Sequence, residues 1–114
     1  MILIASVMVV KAASVSRFCT ISIGEISAES GAVGLARQAS FVVETYSTSN
    51  APINAAVHAC WNGWPYTLEQ SQVVQIGETW SGTEEQSKDS NYYVKLWSMN
   101  NNNSYGWGRI TVQQ

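Results

Sequence analysis

Residues 91–113 read NYYVKLWSMNNNNSYGWGRITVQ, and the alternation in this stretch decides what kind of fold the chain can make. Tyr92, Val94 and Leu96 fall on one side of an extended backbone, and Tyr93, Lys95 and Trp97 on the other. Beyond the asparagines, Gly108, Ile110 and Val112 alternate with Trp107, Arg109 and Thr111. Period two among β-branched and aromatic residues is the mark of half-buried strands. The run from Asn100 to Asn103 suits a turn, because Asn tolerates positive φ. The simplest reading is an antiparallel hairpin with residues 100–104 as its loop. Met99 then lies opposite Tyr105, Trp97 opposite Trp107, Lys95 opposite Arg109 and Tyr93 opposite Thr111.

In that register one face of the hairpin joins the core. The other gathers Tyr93, Trp97, Trp107, Lys95 and Arg109 into a patch that serves as packing, as a subunit interface or as a ligand platform. The Lys95 and Arg109 pair of like charges calls for an acidic partner or for stacking on an indole ring. Gly106 and Gly108 flank Trp107 and are expected to leave its ring unscreened.

The same period recurs along the chain. Strands are expected at residues 2–11, 14–23, 38–47, 53–61, 73–80, 91–99 and 105–113, with Gly, Ser and Asn between them. Only residues 31–38 and 66–72 suit a helical turn. The fold class is therefore all-β: one antiparallel β-sandwich of about seven strands, Ig-like or jelly-roll-like, spanning residues 1–114.

The two cysteines match no zinc or redox spacing. Alternation in VSRFCTISI (15–23) puts Val15, Cys19, Ile21 and Ile23 on the core side and Phe18 with Thr20 outside. In INAAVHACW (53–61), Ile53, Ala55, Val57, Ala59 and Trp61 face inward, leaving Asn54, Ala56, His58 and Cys60 outward. A Cys19–Cys60 disulfide, two free thiols and an intermolecular bridge all remain open, since cysteines on opposite faces pair only if a bulge or a sheet edge brings them together.

The first expected strand is apolar on both faces, with Ile2, Ile4, Met8 and Val10 on one side and Leu3, Val7 and Val9 on the other. A sandwich strand exposed on one side is half polar, so something covers both faces. That cover is a loop or second sheet of the same chain, or a neighbouring subunit that receives residues 1–11 as a donated strand. The segment 1–13 also has the length of a signal remnant but lacks a basic start, and it is too short to span a bilayer as a helix.

Composition narrows the function classes. Charged residues make up 12% of the chain and the net charge is −2, so there is no basic stripe for nucleic acid. His58 is the single histidine and Asp89 the single aspartate. A Ser-His-Asp arrangement has little to draw on, and a partly exposed strand histidine is the plainer reading. Glu84, Glu85 and Asp89 sit in SGTEEQSKDSN (81–91), read as a solvated connection without the alternating ligands of a calcium loop. Glu44 and Glu78 cannot be placed at glycosidase spacing from sequence. No enzyme, metal or cofactor is expected.

WNGWPY (61–66) is read as a turn at a strand end, with Trp64 and Tyr66 at the rim, because Asn-Gly favours tight turns and Pro65 cannot donate to a central ladder. Asn102-Asn103-Ser104 is a glycosylation sequon.

Two functions follow as expectations. The first is a structural subunit of an extracellular filament or virion-type assembly, held to other copies of itself by residues 2–10 and by the aromatic, basic hairpin face. The second is a secreted, lectin-like carbohydrate-binding module using Tyr93, Trp97, Trp107 and Trp64. A membrane-active toxin using the same aromatics comes third.

Overall fold

The computed structural model describes residues 13–113. Its strands are β1 (Ser14–Ile21), β2 (Ser27–Glu29), β3 (Val33–Thr45), β4 (Ile53–Trp61), β5 (Thr67–Val74), β6 (Thr79–Ser98) and β7 (Gly106–Gln113). Every ladder between them is antiparallel. The order is β1-β7-β3-β6-β4-β5, with β2 also on β6. The expected all-β antiparallel class is what the chain adopts. The expected strand at 2–11, with its assembly residues from Ile2 to Val10, lies outside the described residues.

The 20-residue β6 turns this single hydrogen-bonded path into a two-layer sandwich. Its first half pairs with β3, from Glu44↔Thr79 to Gln38↔Glu85. Its second half pairs with β4, from Trp61↔Ser90 to Ile53↔Ser98, and with β2 through Glu29↔Lys95 and Ser27↔Trp97. One layer is thus β1, β7, β3 from Gln38 onward and the first half of β6; the other is β2, the second half of β6, β4 and β5, joined at its edge by the start of β3 through Ala36↔Ser90 and Val33↔Tyr92. Between them Phe41, Val43, Ile53, Val57, Tyr92, Val94, Leu96, Ile110 and Val112 are buried. Each such side chain contributes about 1.5–3 kcal/mol over remaining exposed. The buried Tyr92 hydroxyl is satisfied by donating to the Ala36 carbonyl at 2.8 Å.

The hairpin expected between residues 91–99 and 105–113 does not exist. β7 pairs with β1 and β3, and β6 with β3, β4 and β2. β6 and β7 instead face each other across the core: a Cβ built on Gly108 would lie 2.8 Å from Val94 Cγ1 and 3.3 Å from Leu96 Cδ2. Both arrangements bury the same alternate residues, which is why alternation cannot tell them apart. Residues 99–105 form an arch between layers. Asn100, Asn101 and Asn102 all have positive φ (51°, 62° and 64°). The sequon serine is built into this arch: buried Ser104 accepts from the Met99 amide at 2.9 Å and donates to the Pro52 carbonyl at 2.5 Å.

Other boundaries move as well. Residues 73–80 are interrupted by a turn in which Glu78 N bonds to Gln75 O at 3.0 Å and Gly77 takes φ 79°, so the alternation there runs across two strands. The expected helical turns at 31–38 and 66–72 fall in or beside β3 and in β5. SGTEEQSKDSN is not a loop but the middle of β6. Its polarity misled because the inward Glu84 carboxylate is paired with amides, accepting from Gln70 Nε2 at 2.8 Å and Gln86 Nε2 at 2.9 Å. Cys19 and Cys60 are both free and buried. They lie in different layers, Cys19 pointing to the core and Cys60 on the outward side of β4, so of the alternatives the sequence leaves open the structure has two free buried thiols and no Cys19–Cys60 bridge.

Candidate functional site

The outward face of the second layer can be written row by row from its ladders. Ser27, Trp97, Asn54 and Val73 form one row across β2, β6, β4 and β5; Glu29, Lys95, Ala56 and Ser71 form the next; Tyr93, His58 and Leu68 the third. The sequence builds this face by placing bulk on β6 and small residues on β4. Ala56 is 1% exposed although it points outward, because its neighbours overhang it.

The result is a groove of about 310 Å³ with Ala56 as its floor, Trp97 and Leu68 as its walls, and Asn54 and Ser71 as its polar groups. Leu68 is 58% exposed, a degree of apolar exposure that a surface groove can use.

Aromatic rings continue the Trp97 wall toward the other end of the layer. The His58 and Tyr93 rings stack at 4.7 Å and 5°, His58 lies 6.3 Å from Trp97, and Tyr66 meets Tyr93 edge-on at 4.8 Å. Lys95 is held in this row, bonded to Glu29 at 3.3 Å and lying 4.9 Å from the centroid of Trp97. The cation thus has both kinds of partner that a crowded basic face requires, though the acid comes from β2 and the ring from its own strand. As an exposed pair it contributes about 0–1 kcal/mol and serves mainly to position the side chain.

The electrostatics fit a neutral, partly dry surface. Burial pushes the His58 pKa below its usual value, with Lys95 acting in the same direction, while Glu29 and Glu69 oppose them. Its Nδ1 is buried without a hydrogen-bond partner among the described residues. Burial also raises Tyr93, and it carries Tyr66 up to about 12 with help from a hydrogen bond to the Cys60 side chain.

The sequence-expected site residues separate into three places. Tyr93, Lys95 and Trp97 share the groove face. Trp107 and Arg109 lie on the opposite outer surface, Trp107 between Thr20 and Glu44 and Arg109 between Phe18 and Val42. Trp107 Nε1 donates to Glu44 Oε1 at 3.4 Å. Lys95 and Arg109 are therefore never neighbours, and no like-charge pair forms. Gly106 and Gly108 do not bare the Trp107 ring; they point inward, where a Cβ on Gly106 would collide with the Glu44 carbonyl and Ile53. Trp64, 66% exposed, stands at the end of the sandwich in the β4–β5 turn, where Gly63 takes φ 85°.

Sequence reasoning missed Asn54, Ala56, Leu68, Ser71 and His58 as a group. The outward set of β4 was legible, but Leu68 and Ser71 join it only once residues 66–72 are recognised as a strand. The open signal was the alternation Leu68, Gln70, Gln72, Val74, shifted by one bulge between Val57 and His58. Among the described residues no group of three His, Cys, Asp or Glu side chains could hold a metal ion, and no helix is long and apolar enough to cross a membrane.

No family model matches the chain, and no curated protein matches it. Several solved structures resemble it. PirA superposes with a TM-score of 0.51 at 19% identity, covering 83% of this chain and 90% of that one. The Yersinia pseudotuberculosis-derived mitogen gives 0.50 at 11% identity, covering 90% and 87%. TmCBM61, determined in complex with β-1,4-galactotriose, gives 0.48 at 13% identity, covering 85% and 69%. Likeness at such identities speaks to architecture alone: this chain is similar to β-sandwich proteins of jelly-roll-like type.

Proposed function

We propose that the protein is a non-catalytic carbohydrate-binding module that acts outside the cell and takes a neutral sugar in the groove beside Trp97. The observation that carries this reading is the composition of the groove: an indole wall over a floor reduced to Ala56, with Asn54 and Ser71 at its sides. An exposed ring stacks on the apolar face of a pyranose, and short uncharged side chains exchange hydrogen bonds with its hydroxyls without the desolvation cost of ions. Lys95 is already engaged by Glu29 and Trp97, which leaves the groove with no free charge to demand an acidic ligand.

A glycan array followed by titration tests it. Trp97→Ala is expected to weaken binding by roughly tenfold or more, since removal of a stacking aromatic anchor costs about 2 kcal/mol. Trp107→Ala, altered on the opposite surface, is expected to leave it unchanged. Absence of any glycan binding, or equal loss in the two variants, refutes the groove as the site.

A second reading, a self-assembling subunit of a filament or virion-type assembly, is favoured by one observation. Among the described residues β1 pairs with β7 alone, so its other edge is open, and Phe18 on that strand is 72% exposed. The apolar residues 2–10 immediately precede this edge, and a strand added from another copy would cover it. Solution mass separates the readings: a monomer whose mass does not change with concentration excludes assembly.

A further inference from the structure

At the other end of β4, beyond Val57 and His58, lies a cleft of about 420 Å³ lined by Ala59, Cys60 and Trp61 of that strand. It forms where the β4–β5 turn approaches the middle of β6. Trp61 and Trp64 wall it at 6.4 Å with their planes at 82°. Glu69, Thr67 and Gln86 supply its polar lining.

Three features of this cleft agree in sign. Glu69 is the extra residue of the β5 bulge, since Val57 pairs with Gln70 and His58 with Leu68; bulges re-aim side chains in this way. The Thr67 hydroxyl donates to the Glu69 carboxylate, and Gln86 gives an amide hydrogen to buried Glu84 at 2.9 Å. What these side chains still offer is mostly acceptor oxygen. Next to them Lys88 holds its ammonium 4.5 Å from the centroid of Trp61, so the chain's own cation already uses the face of that ring.

An aromatic corner, a carboxylate and an excess of acceptors together make the surroundings that an organic ammonium group prefers. We infer that the Trp61–Trp64 cleft is a second binding site, independent of the sugar groove, for a ligand bearing a primary or quaternary ammonium group. Amino sugars, lysine side chains and choline-like head groups share that chemistry. Lys88 acts as an internal competitor for the Trp61 ring.

The test is isothermal titration and indole fluorescence with tetramethylammonium, glucosamine and lysine methyl ester as cationic probes, and with tert-butanol and 3,3-dimethyl-1-butanol, which have a similar shape but neither a charge nor a sugar ring for the Trp97 groove, as neutral ones. Saturable binding is expected with cationic probes only, and the strongest of the three names the source. Trp64→Ala and Glu69→Gln, both at exposed positions and checked by circular dichroism, are each expected to weaken it by roughly tenfold. Lys88→Ala is expected to tighten it, and Trp97→Ala to leave it unchanged. The inference is overturned if no cation binds to wild type or to Lys88→Ala, if neutral probes bind equally well, or if binding survives both Trp64→Ala and Glu69→Gln.

Discussion

Gly108→Ala asks whether β6 and β7 lie side by side or face to face. Gly108 is buried on the inward side of β7, and a Cβ there would lie 2.8 Å from Val94 Cγ1, 3.3 Å from Leu96 Cδ2 and 3.5 Å from Val43 Cγ2. The first distance is well inside van der Waals contact, and Val94 is itself 0% exposed, so its methyl has nowhere to move without displacing the core. Overpacking of this kind costs about 1–3 kcal/mol. For a domain of this size each kcal/mol lowers the melting temperature by about 4 °C, so a fall of about 4–12 °C is expected by calorimetry or circular dichroism. If the two strands were hairpin neighbours, alanine would replace a flexible strand glycine and stabilise the fold by about 0.5–1 kcal/mol. The two arrangements therefore differ in sign. Val94→Ala removes the obstructing methyl and should cost about 2 kcal/mol alone. The double variant should then lose about 1 kcal/mol less than the sum of the singles. An unchanged or raised melting temperature in Gly108→Ala, or strict additivity in the double variant, refutes the face-to-face packing.

Ser104→Ala strands the Met99 amide and the Pro52 carbonyl and should cost about 1–3 kcal/mol in urea unfolding; a loss below about 0.5 kcal/mol would show that the arch does not depend on that hydroxyl. His58 is held below its ordinary pKa of 6.5, so the unfolded chain binds the proton more tightly. Its contribution to stability is complete above that pH and is lost as pH falls from there toward the folded value, a slope that His58→Phe should flatten; equal pH profiles for the two proteins would remove the effect. Cys19 and Cys60 should titrate as two thiols in denaturant without reductant, while in the native protein Cys19, raised to about 11 by burial, should react slowly with thiol reagents at pH 8. Recovery of no free thiol in denaturant would contradict the structure.

Much of the fold was legible because alternation is a local property. β4 appears in the sequence at its observed bounds, and Cys19 inward and Cys60 outward were both readable from parity. What parity lacks is partner choice. Tyr92, Val94 and Leu96 point the same way whether β7 lies beside β6 or across from it, and a short asparagine-rich connection can serve either as a hairpin loop or as an arch. The discriminating signal was size: Gly106 and Gly108 are small where Val94, Leu96 and Ile53 are large, the complement that facing layers need.

The first half of β6 escaped notice for another reason. Glu84 occupies a core-side position, and its acceptability rests on nearby Gln86 together with Gln70, which sits on another strand and outside any short window around Glu84. The groove suffered doubly. Trp97, Tyr93 and Lys95 announced themselves by residue type, whereas Ala56 and Ser71 matter by position alone and become visible only when β5 is laid beside β4.

The length of β6 bears on how the molecule comes apart. One continuous backbone supplies ladder partners to β3 in the first layer and to β4 and β2 in the second. Neither layer can peel away while the other stays whole, because releasing either requires breaking hydrogen bonds along the shared strand. Partial openings that would bare the core are thereby suppressed, and the amides that the second half of β6 turns toward β4 belong to the set that exchanges with solvent only through global unfolding.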